Sequence, residues 1–100
     1  MAGVRHVVLF RWRAGVTDAQ VESVAQALHA LRGKVPEIRD YRFGADIGVN
    51  DGNHDYAVVA DFDSIDDYVT YRDHPDHRAV VADVIAPLLD SRVAVQYEID

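Results

Sequence analysis

Side chains of the segment VRHVVLFRWR, Val4 to Arg13, fall alternately on the two faces of a strand, with His6, Val8, Phe10 and Trp12 on one face and Arg5, Val7, Leu9 and Arg11 on the other. The period then changes. After TDAQ, where Thr17 can cap a helix and Gln20 can reach back to its amide, Val21, Val24, Ala25, Leu28 and Leu31 recur at helical spacing as far as Gly33. Beyond Pro36, IRDYRFGADI reads as a second strand, GVNDGN as a hairpin connection and DYAVVADF as a third strand. In the third strand Tyr56, Val58, Ala60 and Phe62 share one face, and Ala57 and Val59 share the other. Ser64, followed by Asp67, opens a second helix carrying Ile65, Tyr68 and Val69. Pro75 disfavours helical backbone at His74 and suits the first position of a new helix with the apolar stripe Val80, Val81, Val84 and Leu88. Pro87 kinks or ends that helix, and SRVAVQYEI closes the chain as a last strand.

The order β-α-β-β-α-β predicts an α+β, ferredoxin-like fold, a four-stranded antiparallel sheet with its helices on one face. The opposite face then bears Val7, Leu9, Ala57 and Val59. Face-to-face pairing of two such sheets would bury it, so a homodimer is expected. At 100 residues, with no linker-like tract, residues 1–100 form a single domain. A domain of this size buries only roughly 60 to 65 per cent of its unfolded surface, so a second subunit would add materially to the core.

Charge narrows the list of partners. Seventeen acidic against ten basic side chains give a net charge of −7, with no basic block able to neutralise a row of phosphates, which argues against nucleic acid. Cysteine is absent, removing disulfides, thiolate nucleophiles and cysteine-based zinc sites. The apolar run Val7 to Phe10 lies between Arg5 and Arg11 and is too short for a signal-peptide core or a membrane span. The expectation is a cytoplasmic protein with no membrane partner.

The stretch YRDHPDH, Tyr71 to His77, holds the candidate chemistry. His77 falls in the first turn of its helix, where unpaired amides and the helix dipole disfavour imidazolium, and burial along the valine stripe acts in the same direction. A neutral imidazole can serve as a general base. If the turn at Pro75 folds the two together, Tyr71 could hydrogen-bond to it or polarise a carbonyl. The bland alternative is that the two satisfy each other and nearby carbonyls while the proline sets the angle between helices. His6, inward on its strand, is read as a pocket residue, and His74 as a helix cap. Trp12, Phe10, Tyr56 and Phe62 can form an aromatic wall, and Arg5 and Arg11 the charged rim of a dimer contact. Asp46, Asn50, Asp51 and Asp55, with His54 nearby, lack the glycine placement and terminal glutamate of a calcium loop and read as turn residues, so no metal is assigned.

RHVVLFRW, the Pro36 to Gly44 segment, DYAVVADFDS, YRDHPDH and VAVQYEI, in this order and spacing, resemble the stress-responsive dimeric α+β barrel (DABB) domains over nearly the whole chain. The resemblance implies ferredoxin-like sheets paired into a barrel across a two-fold axis. It also implies a small-molecule pocket between each sheet and its own helices. The family includes olivetolic acid cyclase-type polyketide cyclases, which close a linear polyketide by aldol chemistry without metal or organic cofactor. Their tyrosine and histidine are matched here by Tyr71 and His77, and their strand histidine by His6. An aromatic residue of their first helix is matched by Leu28, and its neighbours by the smaller Val24 and Ala25. The implied catalytic set is Tyr71, His77 and His6. The implied pocket is lined by Val8, Phe10, Trp12, Val24, Leu28, Val58 and Leu88.

The combined reading is a homodimer that binds a small hydrophobic or aromatic molecule and acts as a cofactor-independent, cyclase-like acid–base catalyst. Two rivals are a non-catalytic stress-linked dimer or ligand carrier, and a cofactorless monooxygenase of aromatic substrates.

Overall fold

The computed structural model describes residues 3–100. The elements run β1 (Gly3–Trp12), α1 (Asp18–Arg32), β2 (Asp40–Ala45), β3 (Tyr56–Phe62), α2 (Ile65–Asp73), α3 (Pro75–Val80) and β4 (Leu89–Ile99). All strand pairs are antiparallel, in the order β2-β3-β1-β4, so the first strand lies centrally and the last forms an edge. This is the ferredoxin-like arrangement expected from the pattern, although β2 is shorter than IRDYRFGADI and β4 begins before Ser91.

Local chemistry sets the element ends. Thr17 Oγ1 accepts the Gln20 amide at 3.2 Å while the Thr17 amide donates to Gln20 Oε1 at 2.9 Å, a reciprocal cap that starts α1. Ser64 accepts the Asp67 amide at 3.1 Å and starts α2. Pro75 forces His74 into extended backbone (φ −60°, ψ 131°), and the His74 ring caps the next helix by accepting the Asp76 amide at 3.1 Å. At the other end Pro87 has no N–H, and its ring excludes the carbonyl four residues earlier. The chain widens into a π-turn over Val81–Ile85, with the Ala86 amide donating to the Val81 carbonyl, and closes with a 3-10 turn, Ala86–Leu88.

The two faces of the sheet differ as the alternation requires. On the helix-covered face Val8, Phe10, Tyr56, Val58, Ala60 and Phe62 are buried and pack with Val24, Leu28, Leu31 and Val35. On the other face the register aligns Val59, Val7 and Val95 in one row and Ala57, Leu9 and Val93 in the next. These side chains are only partly covered, and Val93 and Val95 keep 50% and 55% exposure, a continuous apolar strip on a monomer. One row along, Arg5 grips Asp61 through two nitrogens at 2.8 and 2.9 Å and reaches the Tyr97 hydroxyl at 3.5 Å. Arg5 thus sits at the end of the strip, and Arg11 turns towards His54.

The acidic loop residues have turn duties. Asp46 accepts from the Gly48 amide and Asn53, and Asp55 accepts the Trp12 amide at 2.8 Å. Gly48 and Gly52 take φ of 76° and 83°, the left-handed region that the turn needs. Among the described residues no helix is long and apolar enough to cross a membrane.

Candidate functional site

A cavity of about 260 Å³ lies between the sheet and the segment that runs from α2 to the π-turn. The sheet contributes His6, Val8, Phe10 and Val58, and α1 contributes Leu28. Tyr68, Tyr71 and Arg72 come from α2, His77 from α3, Val81 and Ile85 from the π-turn, and Ala86 from the 3-10 turn that follows it. Leu89 and Arg92 of β4 complete it.

The break at Pro75 brings Tyr71 and His77 together. Their ring centroids are 4.1 Å apart and the planes inclined by 35°. They do not share a hydrogen bond of the kind the sequence suggested. The Tyr71 hydroxyl pairs with that of Tyr41 at 3.0 Å, in the interior. Burial and the neighbouring phenol push the Tyr71 pKa far up, and burial raises that of Tyr41 to about 12, so both remain neutral phenols.

The two histidines are held in complementary tautomers. His77 Nδ1 lies 3.1 Å from the Arg72 carbonyl, which can only accept, so Nδ1 carries the proton and Nε2 of the neutral ring is an acceptor. His6 Nδ1 lies 2.8 Å from the amide nitrogen of Gln96, which donates, so the His6 proton resides on Nε2. Burial, reinforced by Arg92 and His77, lowers the His6 pKa to about 4. Burial also lowers that of His77, with the carbonyl of Arg72 opposing and His74 and Arg92 adding to the shift. At neutral pH the wall therefore presents one imidazole acceptor and one imidazole donor, 6.3 Å separating the His6 and Tyr71 rings.

The family described as Dabb, Stress responsive A/B Barrel Domain, matches residues 4–99. The chain belongs to the Dabb family. A dimeric ferredoxin-like protein of unknown function from Thermobifida fusca is 53% identical, with a TM-score of 0.91 over 98% of this chain and 92% of that one. A dimeric protein of unknown function from Bacteroides fragilis is 32% identical, with a TM-score of 0.83 over 97% and 96%. A hydroxynitrile lyase from Passiflora edulis shares the fold at 20% identity, with a TM-score of 0.85 over 98% and 94%.

Within this Dabb domain, His6, Tyr71 and His77 meet on the cavity wall with Val8, Phe10, Leu28 and Val58. Three residues expected there lie elsewhere. Val24 is fully buried in the core between α1 and the sheet. Trp12 follows a register shift in the β1–β4 ladder and stacks on Phe10 at 5.4 Å, beyond the cavity. Leu88 is displaced because the π-turn adds a residue to the turn, so Val81, Ile85 and Ala86 face the cavity in place of the Val84 and Leu88 positions of a regular helix. Of the proposed aromatic wall only Phe10 remains; Tyr56 and Phe62 belong to the core. The sequence reading missed Tyr41, Tyr68, Arg72, Arg92 and Gln96. Gln96 was open to detection, since it occupies the inward phase of the last strand opposite His6.

Proposed function

We propose that this Dabb domain forms a homodimer and binds a small hydrophobic or aromatic molecule in the cavity of each subunit, where it catalyses cofactor-independent proton transfer of the cyclase type. The observation that carries this reading is the His77 ring, a half-buried neutral imidazole whose Nδ1 is occupied by the Arg72 carbonyl while the ring lines an apolar cavity beside Tyr71.

Aldol ring closure begins by removing a proton from carbon next to a carbonyl. In the proposed step His77 Nε2 takes that proton, the C–H electron pair moves onto the carbonyl oxygen, and the Nε2–H of His6 donates to that oxygen, with the Tyr71 ring packed beside the base. The enolate carbon then attacks a second carbonyl of the same molecule, and the imidazolium of His77 returns the proton to the new alkoxide. Positioned acid–base groups contribute about 10² to 10⁴ in rate, so a dry cavity that holds the chain folded must contribute comparably. No redox partner is needed, which separates this reading from a monooxygenase.

Support for the homodimer comes from the apolar strip Val7, Leu9, Val59, Val93 and Val95 and from the dimeric relatives. One observation favours the non-catalytic carrier: the Tyr71 hydroxyl is already engaged by Tyr41, as a purely structural phenol would be. Exchange of the α-protons of an aryl methyl ketone into deuterium oxide, followed by NMR, separates the two. A catalyst accelerates exchange and His77→Ala removes the acceleration; a carrier binds the ketone and leaves exchange at the buffer rate.

A further inference from the structure

The cavity wall carries charge of one sign. Two arginines line it, and among the described residues no Asp or Glu does, in a chain whose net charge is −7. Arg72 is neutralised, because its guanidinium forks onto the Asp73 carboxylate at 2.9 and 3.1 Å. Arg92 is not. Among the described residues nothing engages its guanidinium in a hydrogen bond or an ion pair, although Asp90 lies two positions away on the same strand.

Its place in the sheet gives this free charge a direction. Arg92 pairs with Phe10 in the β1–β4 ladder, in the same strand phase as Ala94 and Gln96, and Gln96 reaches His6 on the helix-covered side. The guanidinium therefore stands at the rim of the cavity, on a strand exposed to solvent, with the apolar wall behind it. Its charge is felt by both His6 and His77. A cation at the edge of a low-dielectric hollow attracts an anion more strongly than one on an open surface.

We infer that Arg92 is an anion-recognition residue, and that the molecule occupying the cavity carries a carboxylate at one end of a small apolar or aromatic body. This rests on the reading of the cavity as a ligand site. A single planar guanidinium offers two parallel N–H groups that match one carboxylate, whereas a phosphate at such a site normally draws several donors. A volume of about 260 Å³ falls just below the roughly 300 to 1,000 Å³ of typical ligand pockets, which suits one ring with a short substituent. With the carboxylate held at the rim, the body of the molecule points inward to Tyr71 and His77.

The test uses two probes of one shape, 4-propylbenzoate and neutral 4-propylbenzamide, titrated into the intact protein at pH 7 and followed by backbone amide shifts around Tyr71 and His77. The benzoate binds about tenfold more tightly than the benzamide, in line with a charge-assisted hydrogen bond partly screened by water. Arg92→Gln removes that preference by weakening the benzoate alone, and its exposed position leaves the amide spectrum of the fold unchanged. Equal binding of both probes by the wild type, or a preference that survives Arg92→Gln, overturns the assignment and leaves the cavity as a ligand site. Failure of both probes to shift the cavity residues overturns the ligand-site reading and this inference with it.

Discussion

The hydroxyls of Tyr41 and Tyr71 meet at 3.0 Å in the interior, and each residue keeps only 3% of its surface exposed. The phenol predicted to work with His77 is thus anchored from behind by a residue of β2, and its ring rather than its hydroxyl faces the imidazole. Removing one hydroxyl leaves the other buried without that partner, whereas removing both leaves none. Tyr41→Phe and Tyr71→Phe should each destabilise the fold by about 1–3 kcal/mol, and the double variant by clearly less than their sum. Urea unfolding of the four proteins measures this; simple additivity would show that the bond contributes nothing.

His77→Ala should leave the far-UV spectrum and the assembly state intact, because the residue is half-buried and gives up one hydrogen bond to Arg72. Loss of the base should cost about 10² to 10⁴ in α-proton exchange. A variant that unfolds at lower denaturant yet exchanges as the wild type does would assign His77 a structural role.

The neutral state of His6 makes stability depend on pH. Its pKa is about 4 in the folded chain against an ordinary 6.5, so between these values the unfolded chain binds more protons. The contribution is fully present above pH 6.5 and falls as the pH drops towards 4, by roughly 3 kcal/mol for this group. The lowered pKa of His77 acts in the same direction. Urea midpoints between pH 7.5 and 4.5 should fall more steeply for the wild type than for His6→Gln; parallel curves would contradict the assignment.

The apolar strip predicts how the chain assembles. A charge at Leu9, in the row with Ala57 and Val93, would have to be buried between two sheets. Leu9→Glu should therefore convert a dimer to a monomer by sedimentation equilibrium, while the helix-covered core keeps its fold. A wild-type monomer at micromolar concentration would place the strip outside any stable self-association.

Much of this architecture could be read from the chain because local signals agreed with one another. The two-faced apolar runs of β1 and β3, the Thr17–Gln20 cap and the Pro75 break each point to an element independently of tertiary context. The meeting of Tyr71 and His77 followed from that break. What escaped had a non-local cause. The π-turn ahead of Pro87 shifts which residues face inward, so the regular-helix spacing that nominated Leu88 fails where Ile85 and Ala86 succeed. Tyr41 and Arg92 reach their places only through the pairing of β2 and β4 with their neighbours, and periodicity within one segment carries no trace of it.

The proposed chemistry requires a neutral His77 ring on the cavity wall with Nε2 free to accept a proton. Two-bond nitrogen–proton NMR of the imidazole reports tautomer and charge directly. At pH 7 the ring should be neutral, with its proton on Nδ1 and its titration below 6.5, as burial requires. An imidazolium at pH 7, or a neutral ring protonated on Nε2, would contradict the account.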